Sequence, residues 1–366
     1  MKVDLHRKYV RRCLLAIAAF SAGVFSIGWY VEPFSGDLAR MGGYAERDFG
    51  WNGTQQGYPR PRFSLGAYEG YWDVVVLGDS FSFNESPFQW QNFFVATTGL
   101  SVITLDLRGG SPDAVLGSKA FRQHPPKLFI FESIERNLRQ HLSHASSACP
   151  DLPRQTVREL QFARRPDESV AIKREHPLRS YLSHGYPLAL LYRAVHRSVA
   201  DEQKQAVRRF SLTRSDLFSS RSSDQLLVYE EVHGKPWSDA QVTEIRCGLR
   251  ELRRRVEQNG ITHFIAMVVP DRLTAYSDYV TDGQVRHLSR LADLTSDEPL
   301  TPGLLVALRQ AIDAGTVDVY QPDDTHWGSA GHQIAARLLV DTINGQRTTP
   351  ARELSASAAK LRKVSD

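Results

Sequence analysis

Five short apolar runs constrain the fold of this chain more than any other feature: residues 72–77, 101–107, 127–131, 262–269 and 316–320. Each is rich in Val, Ile, Leu or Phe, with few interrupting polar residues, and several stop at Gly or Pro (Gly78, Gly109-Gly110, Pro270). A strand that faces water on one side alternates polar and apolar residues, whereas a strand buried on both faces does not. The runs therefore predict a mostly parallel sheet with helices on both sides. Helical patterns separate several of them. Val242, Ile245, Leu249, Leu252 and Val256 form one apolar stripe over residues 239–258, with Ser238 and Gln241 spaced as a capping box and Asn259-Gly260 as a stop. Residues 302–314 read as a helix with Thr301 as N-cap and Pro302 in the first turn. Residues 330–344 read as another, with Ser329 as N-cap and Gly345 as terminator.

The N-terminus obeys a different rule. Lys2, Arg7, Lys8, Arg11 and Arg12 precede residues 13–31, which carry no charge. That run is close to the roughly 20 residues a helix needs to cross a bilayer. The positive flank predicts that residues 1–12 stay in the cytoplasm and the remainder is exported, with Trp29 and Tyr30 at the interface. The competing reading is a cleaved signal peptide, although no clean small-x-small cleavage site precedes Glu32. The other 335 or so residues are ordinary in composition, since charged residues make up 23% of the chain and the net charge is +4. No basic footprint or nucleic-acid motif accompanies this, so nucleic acid is excluded as a partner.

Two motifs carry chemistry. Gly78-Asp79-Ser80-Phe81-Ser82 follows the first run directly, on the turn at a strand's carboxyl end where α/β sheets bind ligands. Asp323-Asp324-Thr325-His326-Trp327 lies between the fifth run and the last helix. Asp324 can hold one imidazole nitrogen of His326 as a donor, which leaves the other to take a proton from Ser80. Each motif alone has a plain structural reading, a helix cap for the first and a surface loop for the second. Together they place a weak nucleophile and its base on one rim of the sheet.

This pairing resembles the SGNH (GDSL-type) hydrolases and acyltransferases. The resemblance implies a flavodoxin-like α/β/α sandwich with Ser80 as nucleophile, His326 as base and Asp324 as its orienting acid. It also implies an oxyanion hole from the N–H groups of Ser80 and of Gly109 or Gly110. The Asn expected after the third strand is missing, because that place reads Glu132-Ser133-Ile134-Glu135-Arg136-Asn137. Arg136 is a candidate substitute or anion-binding group there. Gly-Asp-Ser-Phe, Glu-x-x-Glu-Arg, Val269-Pro270-Asp271-Arg272 with Tyr276, and Asp-Thr-His-Trp are together similar to the alginate O-acetyltransferase group. In that group the Asp-His pair precedes the Ser, whereas here Ser80 comes first, so alginate itself is not implied.

The resemblance yields a domain plan: a cytoplasmic tail 1–12, a signal anchor 13–31, an extended lead-in 32–70, a catalytic domain 71–345 with an insertion 138–236, and a polar tail 346–366. It implies O-acetylation of an exported polysaccharide by a single-pass protein of the bacterial inner membrane. The catalytic domain would lie in the periplasm, beside an integral-membrane acyl-transfer protein. An esterase using the same residues and a non-catalytic glycan-binding assembly protein are the rivals. Asp271, Arg272, Tyr276 and Trp327 are candidates for the acceptor site, and a disulfide between Cys149 and Cys247 is open to an oxidising compartment. No metal or cofactor motif occurs, and none is expected.

Overall fold

The computed structural model describes residues 2–32, 35–142, 149–152, 160, 162–166, 168–174, 195, 206–229, 236–283, 285, 289–296 and 303–344. Its strands are β1 (Gln55–Gly57), β2 (Ser64–Leu65), β3 (Val74–Gly78), β4 (Val102–Asp106), β5 (Leu128–Ile134), β6 (Val170–Ile172), β7 (Val207–Ser211), β8 (Gln225–Tyr229) and β9 (His263–Val269). Five of them build the main sheet in the order β2-β4-β3-β5-β9, and every pairing is parallel. Its two faces feed two separate cores. Val74, Val76, Leu128, Ile130, Ile265 and Met267 point to one, where the helices Trp90–Thr98 and Ser329–Ile343 pack. Val75, Leu77, Phe129, Phe131, Phe264 and Ala266 point to the other, covered by the stripe of the helix Asp239–Glu257. This is the three-layer α/β/α sandwich that uninterrupted apolar strands require, and it has the SGNH architecture.

Four predicted strands form, shifted by a few residues at their ends. Residues 316–320 do not supply the fifth. Asp318 there adopts φ 53°, and its carboxylate accepts the N–H of Ser219 at 2.9 Å and the Ser219 hydroxyl. Only Tyr320 pairs, in an isolated antiparallel bridge with Trp327. The local polar anchor has turned the chain out of strand geometry, and the sheet is completed by β2 at its opposite edge. The capping box of Ser238 and Gln241 is present. Ser329 is not the cap of the last helix, because Gly328 occupies that position. Ser329 instead receives the Gln56 N–H at 3.0 Å and donates its own N–H to Gln55 Oε1 at 2.7 Å. Thr301, Pro302, Gly345 and the tail 346–366 lie outside the described residues.

The lead-in 32–70 is not simply extended. It contains the helices Asp37–Gly42 and Glu46–Phe49 as well as β1 and β2. Leu38, Tyr44 and Phe49 pack with Val207 and Leu227 of the antiparallel β7–β8 hairpin. Short apolar spacings of this kind carry no periodic signal, so only the tertiary partner reveals them. The insertion 138–236 likewise contributes to the core where it is described, since Phe210, Leu212, Phe218 and Leu226 join the main cluster. A disulfide joins Cys149 to Cys247 across 98 residues and fastens the insertion to the helix Asp239–Glu257. At the N-terminus one helix runs continuously over Lys2–Val31, and its stretch His6–Tyr30 is long and apolar enough to cross a membrane.

Candidate active site

The turn after β3 is built by its own sequence and by the helix that follows. Asp79 accepts the N–H of Phe81 at 3.0 Å and the N–H of Ile134, at the end of β5, at 2.8 Å. The first bond closes a local Asx turn and the second welds that turn to the neighbouring strand. From the helix side, Gln89 donates to the Phe81 carbonyl at 2.8 Å and Gln91 to the Ser82 carbonyl at 2.7 Å. Trp90 Nε1 donates to Ser82 Oγ at 3.0 Å. Gly78 is required by close packing, because a Cβ there would lie 2.6 Å from Ser82 Cβ and 2.7 Å from Glu132 Oε2. Ser80 itself is half-buried. Among the described residues its hydroxyl has no hydrogen-bond partner, and the N–H groups of Ser80, Gly109 and Gly110 meet no acceptor.

Glu132 lies fully buried beneath this turn, its Oε2 accepting the Asp79 N–H at 3.0 Å. Burial, followed by the charge of Asp79, raises its pKa well above the ordinary value. Arg136, the candidate oxyanion or anion-binding group of the sequence, does not reach Glu132. Arg136 pairs instead with Asp271 and lies 5.2 Å from the Tyr229 ring centroid.

The second motif occupies a tight loop closed by the Tyr320–Trp327 bridge and by the bond from Gln321 N–H to the His326 carbonyl at 3.0 Å. Inside it, Asp324 Oδ1 lies 2.6 Å from His326 Nδ1 and accepts the His326 backbone N–H at 2.9 Å. A carboxylate only accepts, so Nδ1 carries the hydrogen and Nε2 is the basic atom. That Nε2 is buried and has no partner among the described residues. The imidazole ring stands 4.8 Å from the Phe81 ring, and the charge of Asp79 acts on it, which sets the loop directly against the Ser80 turn. No hydrogen bond joins Ser80 to His326 in this structure. Burial disfavours the charged imidazole, but the carboxylates of Asp324, Asp37 and Asp79 outweigh it and raise the His326 pKa above 6.5. Burial alone would raise Asp324, yet His326 holds it below the usual carboxylate value.

The chain carries more of this site than its two motifs. Asp37 donates its N–H to Asp324 Oδ2 at 3.1 Å and accepts the Thr325 N–H on Oδ1 at 2.9 Å. Tyr229 donates to Asp37 Oδ2 at 2.7 Å. The four carboxylate oxygens of Asp37 and Asp324 thus all accept hydrogens, so the cluster is satisfied by N–H and O–H donors. Nothing in the spacing of residues 32–70 marks Asp37, because its partners lie 192 and 288 residues away. Beneath the loop, Arg272 donates to the carbonyls of Pro322 at 3.1 Å and Asp324 at 3.0 Å.

Several sequence candidates for substrate contact take other positions. Asp271, Arg272, Tyr276 and Trp327 are all buried, the last two with no exposed surface. Asp271 pairs with Arg136, Arg272 braces the loop, and Tyr276 receives the Tyr320 N–H. Trp327 packs among Phe81, Tyr320 and His332. They form the framework of the site rather than an open lining, because each has an apolar or polar partner inside the fold. Gly109 and Gly110 are exposed on the turn after β4.

Residues 222–365 match the family model of the SGNH hydrolase-like domain, acetyltransferase AlgX. Over that stretch, less than half of the chain, the protein is similar to the SGNH hydrolase-like domain of that acetyltransferase. The matched stretch includes β9, Arg272 and the Asp324-Thr325-His326 loop, whereas the Ser80 turn lies before it. No curated protein and no solved structure matches the chain.

Proposed function

We propose that the protein transfers acetyl groups to hydroxyls of an exported polysaccharide through an acetyl-Ser80 intermediate. The observation that carries this reading is the His326 imidazole, held by Asp324 at 2.6 Å with an unpartnered Nε2 beside the Ser80 turn. Ser80 Oγ attacks the acetyl carbonyl of a donor while its proton passes to His326 Nε2. Asp324 steadies the imidazolium, and the N–H groups of Ser80 and of Gly109 or Gly110 receive the negative charge of the tetrahedral intermediate. The leaving group departs with the proton from His326. A sugar hydroxyl then gives its proton to His326 and displaces Ser80, which regains a proton as the acetyl ester forms.

The AlgX-like domain supports a polysaccharide as acceptor. The apolar stretch His6–Tyr30 supports a single-pass anchor in a bacterial inner membrane, with residues 1–12 inside and the domain in the periplasm. An integral-membrane acyl-transfer protein supplying the acetyl group fits that location.

The test is intact-mass analysis of the full chain in detergent with an activated acetyl ester, with and without oligosaccharide, beside Ser80→Ala. An acetyl adduct on wild type and none on Ser80→Ala, followed by transfer to the sugar faster than to water, is the expected result. Free acetate alone would assign an esterase. An unmodified, folded wild type would leave a glycan-binding role.

A further inference from the structure

The helix Asp37–Gly42 begins six residues after the membrane-competent helix ends at Val31. Its first residue reaches the loop that carries His326, and the contact is made on every polar atom that Asp37 owns near it. The backbone N–H holds Asp324 Oδ2, Oδ1 holds the Thr325 N–H, and Oδ2 is held by Tyr229. Two residues on, Ala39 donates its N–H to the Asp323 carbonyl at 3.0 Å. A carboxylate oxygen of Asp37 also lies within 4.8 Å of a His326 ring nitrogen. The segment is itself tied to the helix exit: Arg47 sits 4.5 Å from the Tyr30 ring centroid, and Arg174 bridges Glu32 at 2.6 Å and Glu46 at 3.4 Å.

We propose that Asp37 is a positioning residue of the active site, which holds Asp324 and His326 in register and is supplied by the segment that emerges from the membrane helix. Asp324 has four lone-pair directions to satisfy, and His326 uses only one of its oxygens. Without the Asp37 N–H, Oδ2 is free to rotate and the imidazole loses its fixed aim. The Asp37 carboxylate adds a second effect, since its charge favours the protonated imidazole. Among the described residues, the other charged or titratable groups near His326 are Asp324 in its own loop, Asp79 on the Ser80 turn, His332 on the last helix and Arg272 beneath the loop. Asp37 is the one that comes from the membrane-proximal segment. The site is then complete only when that segment is docked, so the anchor's exit and the catalytic loop form one unit.

This inference rests on the reading of His326 as base, and its test separates the two. The His326 titration is followed by NMR on the full chain in micelles, with the resonance assigned by its loss in His326→Gln. Asp37→Asn keeps an acceptor for the Thr325 N–H and removes the charge. It is expected to lower the His326 midpoint by about one unit, while Asp37→Ala lowers acetyl transfer about 100-fold. A folded Asp37→Asn whose His326 midpoint matches wild type overturns the assignment. If Asp37→Asn does not fold, Tyr229→Phe, which removes only the hydroxyl on Oδ2, is expected to shift the midpoint in the same direction by less, and no shift overturns it. A wild type that transfers no acetyl removes the proposed function but leaves the titration result intact.

Discussion

The guanidinium of Arg272 donates 3.0 Å to the main-chain carbonyl of Asp324, so a buried cation props the loop from below while the Asp324 side chain holds His326 above. Arg272 is 3% exposed, it also bonds the Pro322 carbonyl, and its guanidinium carbon lies 4.9 Å from the Phe218 ring centroid. Burial pushes its pKa down from the usual value, a cost that this bonding offsets. Arg272→Ala leaves two carbonyls unsatisfied and opens a cavity. We expect a loss of about 3 kcal/mol in unfolding free energy, read by denaturant titration. Arg272→Lys supplies a point donor instead of a planar fork and is expected to recover only part of it.

The pH dependence of acetyl transfer follows from the Asp324–His326 pair. In the proposed mechanism His326 must be neutral to accept the Ser80 proton, and its carboxylate neighbours hold its pKa above 6.5. Activity is therefore expected to be lost as pH falls through a midpoint above 6.5. Asp324→Asn removes the largest raising influence and the tautomer control together. The prediction is a midpoint moved to lower pH and a maximal rate reduced by about 10,000-fold, by analogy with other triads. A pH–rate profile of both proteins checks it.

Glu135 offers a stability test away from the chemistry. It accepts the Asp271 N–H at 3.0 Å and the Ser289 hydroxyl. Burial and then the Asp271 charge raise its pKa from 4.5 to about 7. A carboxyl group raised in the folded state binds its proton more tightly there than in the unfolded chain. Its contribution is thus fully present below pH 4.5 and is lost as pH rises through about 7. Glu135→Gln cannot titrate. Between pH 5 and 8 the wild type is expected to lose about 1–3 kcal/mol relative to Glu135→Gln, measured by urea unfolding at each pH.

Gly36 tests the docking of the segment after the N-terminal apolar helix. A Cβ there would fall 2.1 Å from the Asp323 carbonyl oxygen and 2.4 Å from its carbon, and both are backbone atoms that cannot swing away. Gly36→Ala should force the segment off the loop, at about 2–3 kcal/mol. Gly70→Ala meets no atom within 4 Å and should change stability by less than about 0.5 kcal/mol. Thermal melts of the two variants make the comparison.

Much of the sheet was legible because a strand buried on both faces must be apolar at nearly every position. β3, β4, β5 and β9 therefore announced themselves, as did the stripe and capping box of the helix Asp239–Glu257. Residues 316–320 were misleading for the same reason. Val317, Val319 and Tyr320 look like a strand, but Asp318 trades strand geometry for its bonds to Ser219. The two motifs around Ser80 and His326 were legible as well, since local turn chemistry and a two-residue spacing define them.

By itself the sequence determined the elements whose signal is local: the apolar strands, the amphipathic helices, the N-terminal apolar helix, and the Asp324–His326 pair that shares one loop. Only the tertiary structure decided which distant groups complete them. It brought Asp37 and Tyr229 to Asp324 and Thr325, set Glu132 under Asp79, turned Arg136 toward Asp271, and joined Cys149 to Cys247. It also placed Asp271, Arg272, Tyr276 and Trp327 inside the framework. The physical reason is that a hydrogen bond or ion pair between residues far apart in the chain leaves no periodicity behind. Its partners are chosen by which polar atoms the packed layers bury together, and a buried polar atom without a partner costs too much to leave alone.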